Sequence, residues 1–217
     1  MFTVVGLDTA GKQKTHRGGS WQKKKGTHRS IVCCVGTAIL VRFVVAGFVS
    51  TRGGDVRQLP TLIDRFIEPW SFLSNFYSCT VEYEGEVYHS VENAYQAAKA
   101  ADPKRRSTFQ LPGVTSGQAK SLGRKLIIRP DWDEVRVDIM RDLLLQKFYP
   151  TILRRKLLCT FTANLVEGNN WHDLFFGVCD GTCRKGPHEP EGLNHLGRLL
   201  MEVREYYSTY SKRELPA

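Results

Sequence analysis

The stretch from Ser78 to Ala101 constrains this chain most, because it specifies a strand hairpin running straight into a helix. Ser78 to Tyr88 alternates apolar and polar side chains around Glu84-Gly85. Thr80, Glu82 and Glu84 fall on one face and Val81 and Tyr83 on the other. That period of two predicts a hairpin with its turn at the glycine and Val87 on the return strand. Ser90 stands where a helix N-cap is expected. Val91 to Ala101 is rich in alanine and has neither Gly nor Pro, which predicts a helix closed by Asp102-Pro103. Further helices are predicted over 118–126, 133–148, 150–158 and 193–207. The last carries Leu196, Leu199, Leu200 and Val203 at core-facing spacing. No internal repeat is visible. The reading is α+β: a compact, predominantly helical single domain with a small antiparallel sheet.

The chain has 217 residues and a net charge of +9. That charge is unevenly distributed. Residues 1–54 hold nine Lys or Arg against the single acid Asp8, hence +8, whereas residues 55–217 hold 22 basic and 21 acidic side chains, hence +1. A basic excess confined to an N-terminal arm gives no argument for a nucleic-acid groove on the body. The six cysteines, at 33, 34, 79, 159, 179 and 183, do not form the dense framework of a small secreted domain, so a reducing compartment is expected.

The arm, residues 1–54, divides in two. Residues 9–30 are rich in Lys, Gly, Thr and Ser and read as solvated. Residues 31–50 are almost wholly apolar but are interrupted by Arg42. A spanning helix needs roughly 20 apolar residues, and a central Arg costs about 2.5–3.5 kcal/mol on insertion. Three readings stay open: a cleaved targeting segment, a poorly ordered extension, or, least favoured, a membrane contact through 31–50. Residues 55–62 read as a linker, 63–210 as the catalytic domain and 211–217 as a tail. The expected location is intracellular and cytoplasmic, with organellar targeting by the arm as the alternative.

Several strings, taken together, resemble the NADAR (YbiA-like) family. They are Phe72-Leu-Ser-Asn-Phe76, His89-Ser-Val-Glu-Asn-Ala-Tyr-Gln-Ala-Ala-Lys99, Ala119-Lys-Ser-Leu-Gly-Arg124 and Arg129-Pro-Asp-Trp-Asp133. Met140 through Phe148, Leu157-Leu-Cys-Thr160, Leu165-Val-Glu167, Asn170-Trp-His-Asp173, Phe176-Gly177 and Gly192-Leu-Asn-His-Leu-Gly197 follow in order. The resemblance covers most of residues 66–207 and leaves out the arm. It implies a mainly helical fold with one polar cleft and an N-glycosidase activity. The implied substrates are phosphorylated ribosylamino-pyrimidines or ADP-ribosylated guanine, the latter free or in nucleic acid. No cofactor or metal is implied, and the sequence is silent on oligomeric state.

Cleaving a C1′–N bond leaves positive charge at C1′ and negative charge on the departing base. Glu92 and Lys99, seven residues apart on the strongest helix, project from one face about 10.5 Å apart along the axis, with Gln96 between them. The resemblance makes this the active-site strip. Lys99 would attack C1′ as a neutral amine and pass through a Schiff base, and Glu92 would shuttle the proton or stabilise the cation. From pattern alone, an exposed pair on a solvated helix face is the competing reading. Asp173 is the second acid, ahead of the Phe176-Gly177 turn where many relatives have Trp for Phe176. Its competing reading is a cap.

Ser74 and Asn75 could bind ribose or an amide-bearing base, or simply form a turn. Trp132 and Trp171, and also Trp70, could stack on the base or pack in the core. Arg124, with Lys125 and Arg129, could hold phosphate or form a solvated face. Cys179, Cys183, His188 and His195 are four residues of zinc-binding type, but their spacing is irregular and the resemblance accounts for His195. Gly181 to Gly192 is therefore read first as a surface insertion without metal, with a zinc-stabilised interaction domain as the weaker alternative. A non-catalytic module binding ADP-ribose or an NAD derivative is the competing function.

Overall fold

The computed structural model describes residues 59–213, with side chains to 209, and four short strands ahead of them. In the unit Met1–Ile31, β1 (Gly6–Leu7) pairs antiparallel with β2 (Gln13–Lys14). In the unit Val32–Ala217, β3 (Phe48–Ser50) pairs antiparallel with β4 (Val56–Gln58). The targeting, extension and membrane readings of the arm otherwise fall outside the described residues. Among the described residues no helix is long and apolar enough to cross a membrane.

The hairpin forms as its alternation requires. β6 (Ser78–Tyr83) pairs antiparallel with β7 (Glu86–Ser90), bringing Val81 opposite Tyr88 and Tyr83 opposite Glu86. Glu84 and Gly85 make the two-residue turn with φ of 49° and 81°. Two left-handed residues are what a type I′ hairpin needs, because their twist matches that of the strands. Val81 and Tyr88 face the core at 2% and 1% exposure.

Ser90 ends β7 and caps α1 (Val91–Ala98), its hydroxyl accepting from Asn93 N at 3.1 Å. Asn93 in turn donates from Nδ2 to the carbonyls of Phe109 and Val114. This ties α1 to the 3-10 helix η2 (Pro103–Gln110) and to the loop after it. Every residue of α1 is buried, the polar Glu92, Asn93 and Gln96 included. The alanines explain how, since their small side chains let other elements approach the helix from all sides.

The helix stops at Ala98, three residues before the sequence predicts. Beyond Lys99 the backbone pairs elsewhere: Arg129 N donates to Lys99 O at 2.9 Å and Ala101 N to Ile127 O at 3.0 Å. Asp102-Pro103 instead begins η2.

The other helices match their predicted segments within a few residues. α2 (Ser116–Gly123) opens on a capping box built from Thr115 and Gln118. α3 (Trp132–Phe148) buries Met140, Leu143, Leu144 and Phe148, and α4 (Thr151–Leu158) buries Leu157. α5 (His195–Arg213) buries the expected stripe of Leu196, Leu199, Leu200 and Val203, with Tyr207 added.

The sheet differs from expectation in part. Besides the antiparallel hairpin there are two parallel pairs, β5 (Leu62–Ile63) with β8 (Asn164–Leu165) and β9 (Gly168–Asn169) with β10 (Val178–Cys179). These strands have two residues each, too short to show a period. The fold is α+β, with α1 at the centre of the core and η1 (Ser71–Leu73) leading into the hairpin.

Candidate active site

A cleft of about 280 Å³ opens beside α1. Its wall combines Glu92 and Gln96 from α1 and Lys99 at its C-cap with Ser74 and Asn75 from the loop after η1. Trp132 and Arg136 from α3 and Lys120 from α2 also line it, as do Glu167, Trp171 and Asp173 from the segment between β8 and β10. The helical spacing of Glu92 and Lys99 therefore points both into one cavity, not into solvent.

Within the cleft Gln96 Nε2 donates to Glu92 Oε1 at 2.7 Å. Gln96 is held against α2, where a Cβ added at Gly123 would lie 1.9 Å from Gln96 Oε1. Only glycine allows that approach. Glu92 is 5% exposed, and burial pushes its carboxyl above the ordinary range despite Lys120, the Gln96 hydrogen bond and Lys99.

Burial acts on Lys99 in the opposite sense. It holds the ammonium below the usual lysine value, Lys120 and Arg124 lower it further, and Glu92 and Asp173 work against them. The Lys99 amine lies 5.3 Å from the ring centre of Tyr95 and 5.8 Å from that of Trp132. Desolvation disfavours the charged form of both groups, so the carboxyl is pushed towards keeping its proton and the amine towards losing one. Opposed shifts of this kind are the environment in which acid–base roles divide.

Asp173 both caps the turn that follows it and lines the cleft. Its Oδ1 accepts from Phe176 N at 3.1 Å, a capping contact, while Oδ2 lies 3.5 Å from Lys120 Nζ inside the cleft. Asn169 shapes this segment, since its Oδ1 accepts from the backbone N of Trp171 and of Asp173. Trp171 is 57% exposed at the rim, its ring 5.6 Å from Lys120 Nζ.

The Ser74 turn is likewise both scaffold and lining. Ser74 Oγ accepts from Phe76 N, and the Ser74 carbonyl accepts from the wholly buried Lys147 at 2.7 Å. Asn75 is buried, and its Oδ1 has no hydrogen-bond partner among the described residues. A ligand N–H would satisfy it.

Not every expected residue reaches the cleft. Arg124 is exposed at the C-cap of α2 and acts on Lys99 through its charge alone. Arg129 is engaged by both carboxylate oxygens of Asp131 and by Tyr83, and Trp70 packs against the core beside Phe72.

Three charged lining residues were not among the expected site residues. Arg136 lies one helical turn after Trp132 on α3, a spacing that would have found it. Its Nε is buried and has no hydrogen-bond partner among the described residues. Lys120 sits inside the Ala119-Lys-Ser-Leu-Gly-Arg124 string, where Arg124 drew the attention. Glu167, whose carboxyl burial and Asp173 push up to about 7, follows a two-residue strand and ends the Leu165-Val-Glu167 string, which by itself assigns it no role.

The chain is similar to proteins that carry N-glycosidase and riboflavin-biosynthesis names. An N-glycosidase of Nostoc punctiforme is 33% identical over 142 residues, covering 64% of this chain and 86% of that one. The N-glycosidase YbiA of Escherichia coli is 34% identical over 136 residues, covering 61% and 78%. A riboflavin biosynthesis protein of Vibrio vulnificus is 36% identical over 146 residues, of whose length this chain spans 37%. The NMR structure of Escherichia coli YbiA superposes with a TM-score of 0.60 at 30% identity, over 74% of this chain and 92% of that one. The domain is thus of the N-glycosidase class. The NADAR domain family matches residues 64–207, and the chain belongs to that family.

Proposed function

We propose that the cleft hydrolyses the N-glycosidic bond between ribose and an amine- or amide-bearing base, with Lys99 as nucleophile and Glu92 as proton shuttle. The observation that supports this most is the placing of Lys99 and Glu92 on one cavity wall, with burial shifting the two groups in opposite senses. The neutral Lys99 amine attacks C1′, and the C1′–N bond breaks with its electron pair leaving on the base. The base takes a proton from the Glu92 carboxyl. The Lys99 adduct returns one N–H proton to the Glu92 carboxylate, and ring opening, with the second N–H proton passing to O4′, gives a Schiff base, to which water adds. Collapse of that adduct frees the sugar and restores the amine, one water being consumed overall.

The remaining wall supplies contacts. Asn75 Oδ1 and the Ser74 hydroxyl suit a ribose or an exocyclic amine, and Trp171 offers a face for the base. Lys120 and Arg136 suit phosphate. Two substrate classes fit: a ribosylamino-pyrimidine phosphate, and ADP-ribose linked to guanine, whose second nucleotide half would extend beyond Trp171. The test is turnover of both compounds by the full chain and by Lys99→Ala. Release of free base by the wild type and its loss in the variant support the reading. Equal release by both removes Lys99 from the chemistry.

A further inference from the structure

We propose that His172, Cys179, Cys183 and His188 form a structural zinc site beside the cleft. Their four ligand atoms all lie within 4.8 Å of one another, two from buried cysteines and two from half-buried histidines. Cys179 Sγ is 3.5 Å from His188 Nε2, Cys183 Sγ is 3.3 Å from the same nitrogen, and Cys183 Sγ is 3.5 Å from His172 Nδ1. Tetrahedral zinc with Zn–S near 2.3 Å and Zn–N of 2.0–2.1 Å has sulfur–nitrogen edges of about 3.5 Å. Three of the cluster's six edges have that length, and the other three lie within 4.8 Å.

The protonation pattern agrees. His188 Nδ1 is 2.7 Å from the Glu189 carbonyl, which can only accept, so Nδ1 carries a proton, and in the neutral ring that binds metal Nε2 presents its lone pair to both sulfurs. A backbone carbonyl on the far nitrogen is the usual outer partner of a metal-bound histidine. One lone pair can accept a single thiol proton in line, yet two sulfurs converge on it. Four donor atoms gathered within 4.8 Å of one another are what a cation collects, and two thiolates would neutralise Zn²⁺.

The backbone is shaped to bring the four together. Cys179 and Glu191 exchange hydrogen bonds at the base of the loop, and His188 N donates to Gly181 O across it. Gly181 has φ of +82°, and a Cβ there would lie 2.0 Å from the His188 carbonyl oxygen. His172, from a different segment, takes a left-handed φ of 64°. It replaces His195 of the sequence-level set, which stacks on Phe175 at 4.4 Å between ring centres.

Four protein ligands leave no open position, so the metal is structural and not a Lewis acid for the reaction. His172 lies between Trp171 and Asp173, so the ion would anchor that rim to β10 and to the loop after it. The site stands on its own geometry, whatever substrate the cleft takes.

The test is zinc content of the untagged full chain by plasma mass spectrometry, with X-ray absorption to count ligand types. The expected result is about one zinc per chain, bound by two sulfurs and two nitrogens. Zinc should be lost in His172→Ala and Cys183→Ser and kept in His195→Ala and in Cys33→Ser/Cys34→Ser. The wild-type measurements do not depend on how any variant folds. A zinc-free wild type after zinc-supplemented expression, a Cys179–Cys183 disulfide in its place, or zinc that survives His172→Ala and Cys183→Ser would each overturn the proposal.

Discussion

Gln96 donates from Nε2 to Glu92 Oε1 at 2.7 Å, one turn along α1, with both side chains buried. The amide fixes the direction of the carboxyl and opposes the rise that burial imposes on it. Glu92→Gln should lower kcat by about 10²–10⁴, the range for a lost general acid–base. Gln96→Ala should cost less and move the Glu92 limb of the kcat/KM profile to higher pH, because a bond that favours the carboxylate is gone. An unmoved limb in a pH–rate series would separate Glu92 from the proton transfer.

Gly123 is the neighbour that holds Gln96 in place. A Cβ at this position would lie 1.9 Å from Gln96 Oε1, so Gly123→Ala must displace either Gln96 or α2. The expected loss is about 1–3 kcal/mol of stability, with a fall in kcat resembling that of Gln96→Ala. Truncating Gln96 in the same chain should recover much of the stability, which denaturant unfolding of the double variant measures.

Lys147 supports the site from below through its bond to the Ser74 carbonyl. Burial brings its pKa down from 10.5 to about 7. Between those values the unfolded chain holds a proton that the folded chain does not, so this residue makes stability rise with pH across that window. The slope is at most about 1.4 kcal/mol per pH unit. Lys147→Met removes it. Relative to the variant, the wild type should therefore gain stability from pH 7 to 9.5 in urea unfolding, and parallel profiles would refute this.

Trp171 is exposed at the rim and contributes little to the core. Trp171→Ala should leave stability within about 0.5 kcal/mol. Loss of a stacking face worth about 1–3 kcal/mol should raise KM about tenfold. Steady-state kinetics on the ribosylated base decides it, and an unchanged KM would place the base elsewhere in the cleft.

What the sequence made legible was local. Alternation over Ser78–Tyr88, the Ser90 cap and the alanine run placed the hairpin and α1, and with them Glu92, Gln96 and Lys99. The early end of α1 was not legible because it depends on pairing with residues 127–129, some thirty positions away. The parallel pair of β5 and β8 joins segments about a hundred residues apart, through strands too short to carry a period. Two of the missed cleft residues, Lys120 and Glu167, are ordinary charged residues until Asp173 and burial give them meaning. In the cysteine–histidine cluster the residue types were recognised, but His172 was overlooked because it reaches Cys183 through space, from outside the insertion.

Borohydride reduction during turnover, followed by peptide mass spectrometry, tests the central claim most directly. A sugar adduct reduced onto the Lys99 side chain, absent without substrate and absent in Lys99→Ala, is the result this mechanism predicts. Base release at the full wild-type rate with no lysine-bound sugar captured, or capture on a lysine other than Lys99, would contradict it.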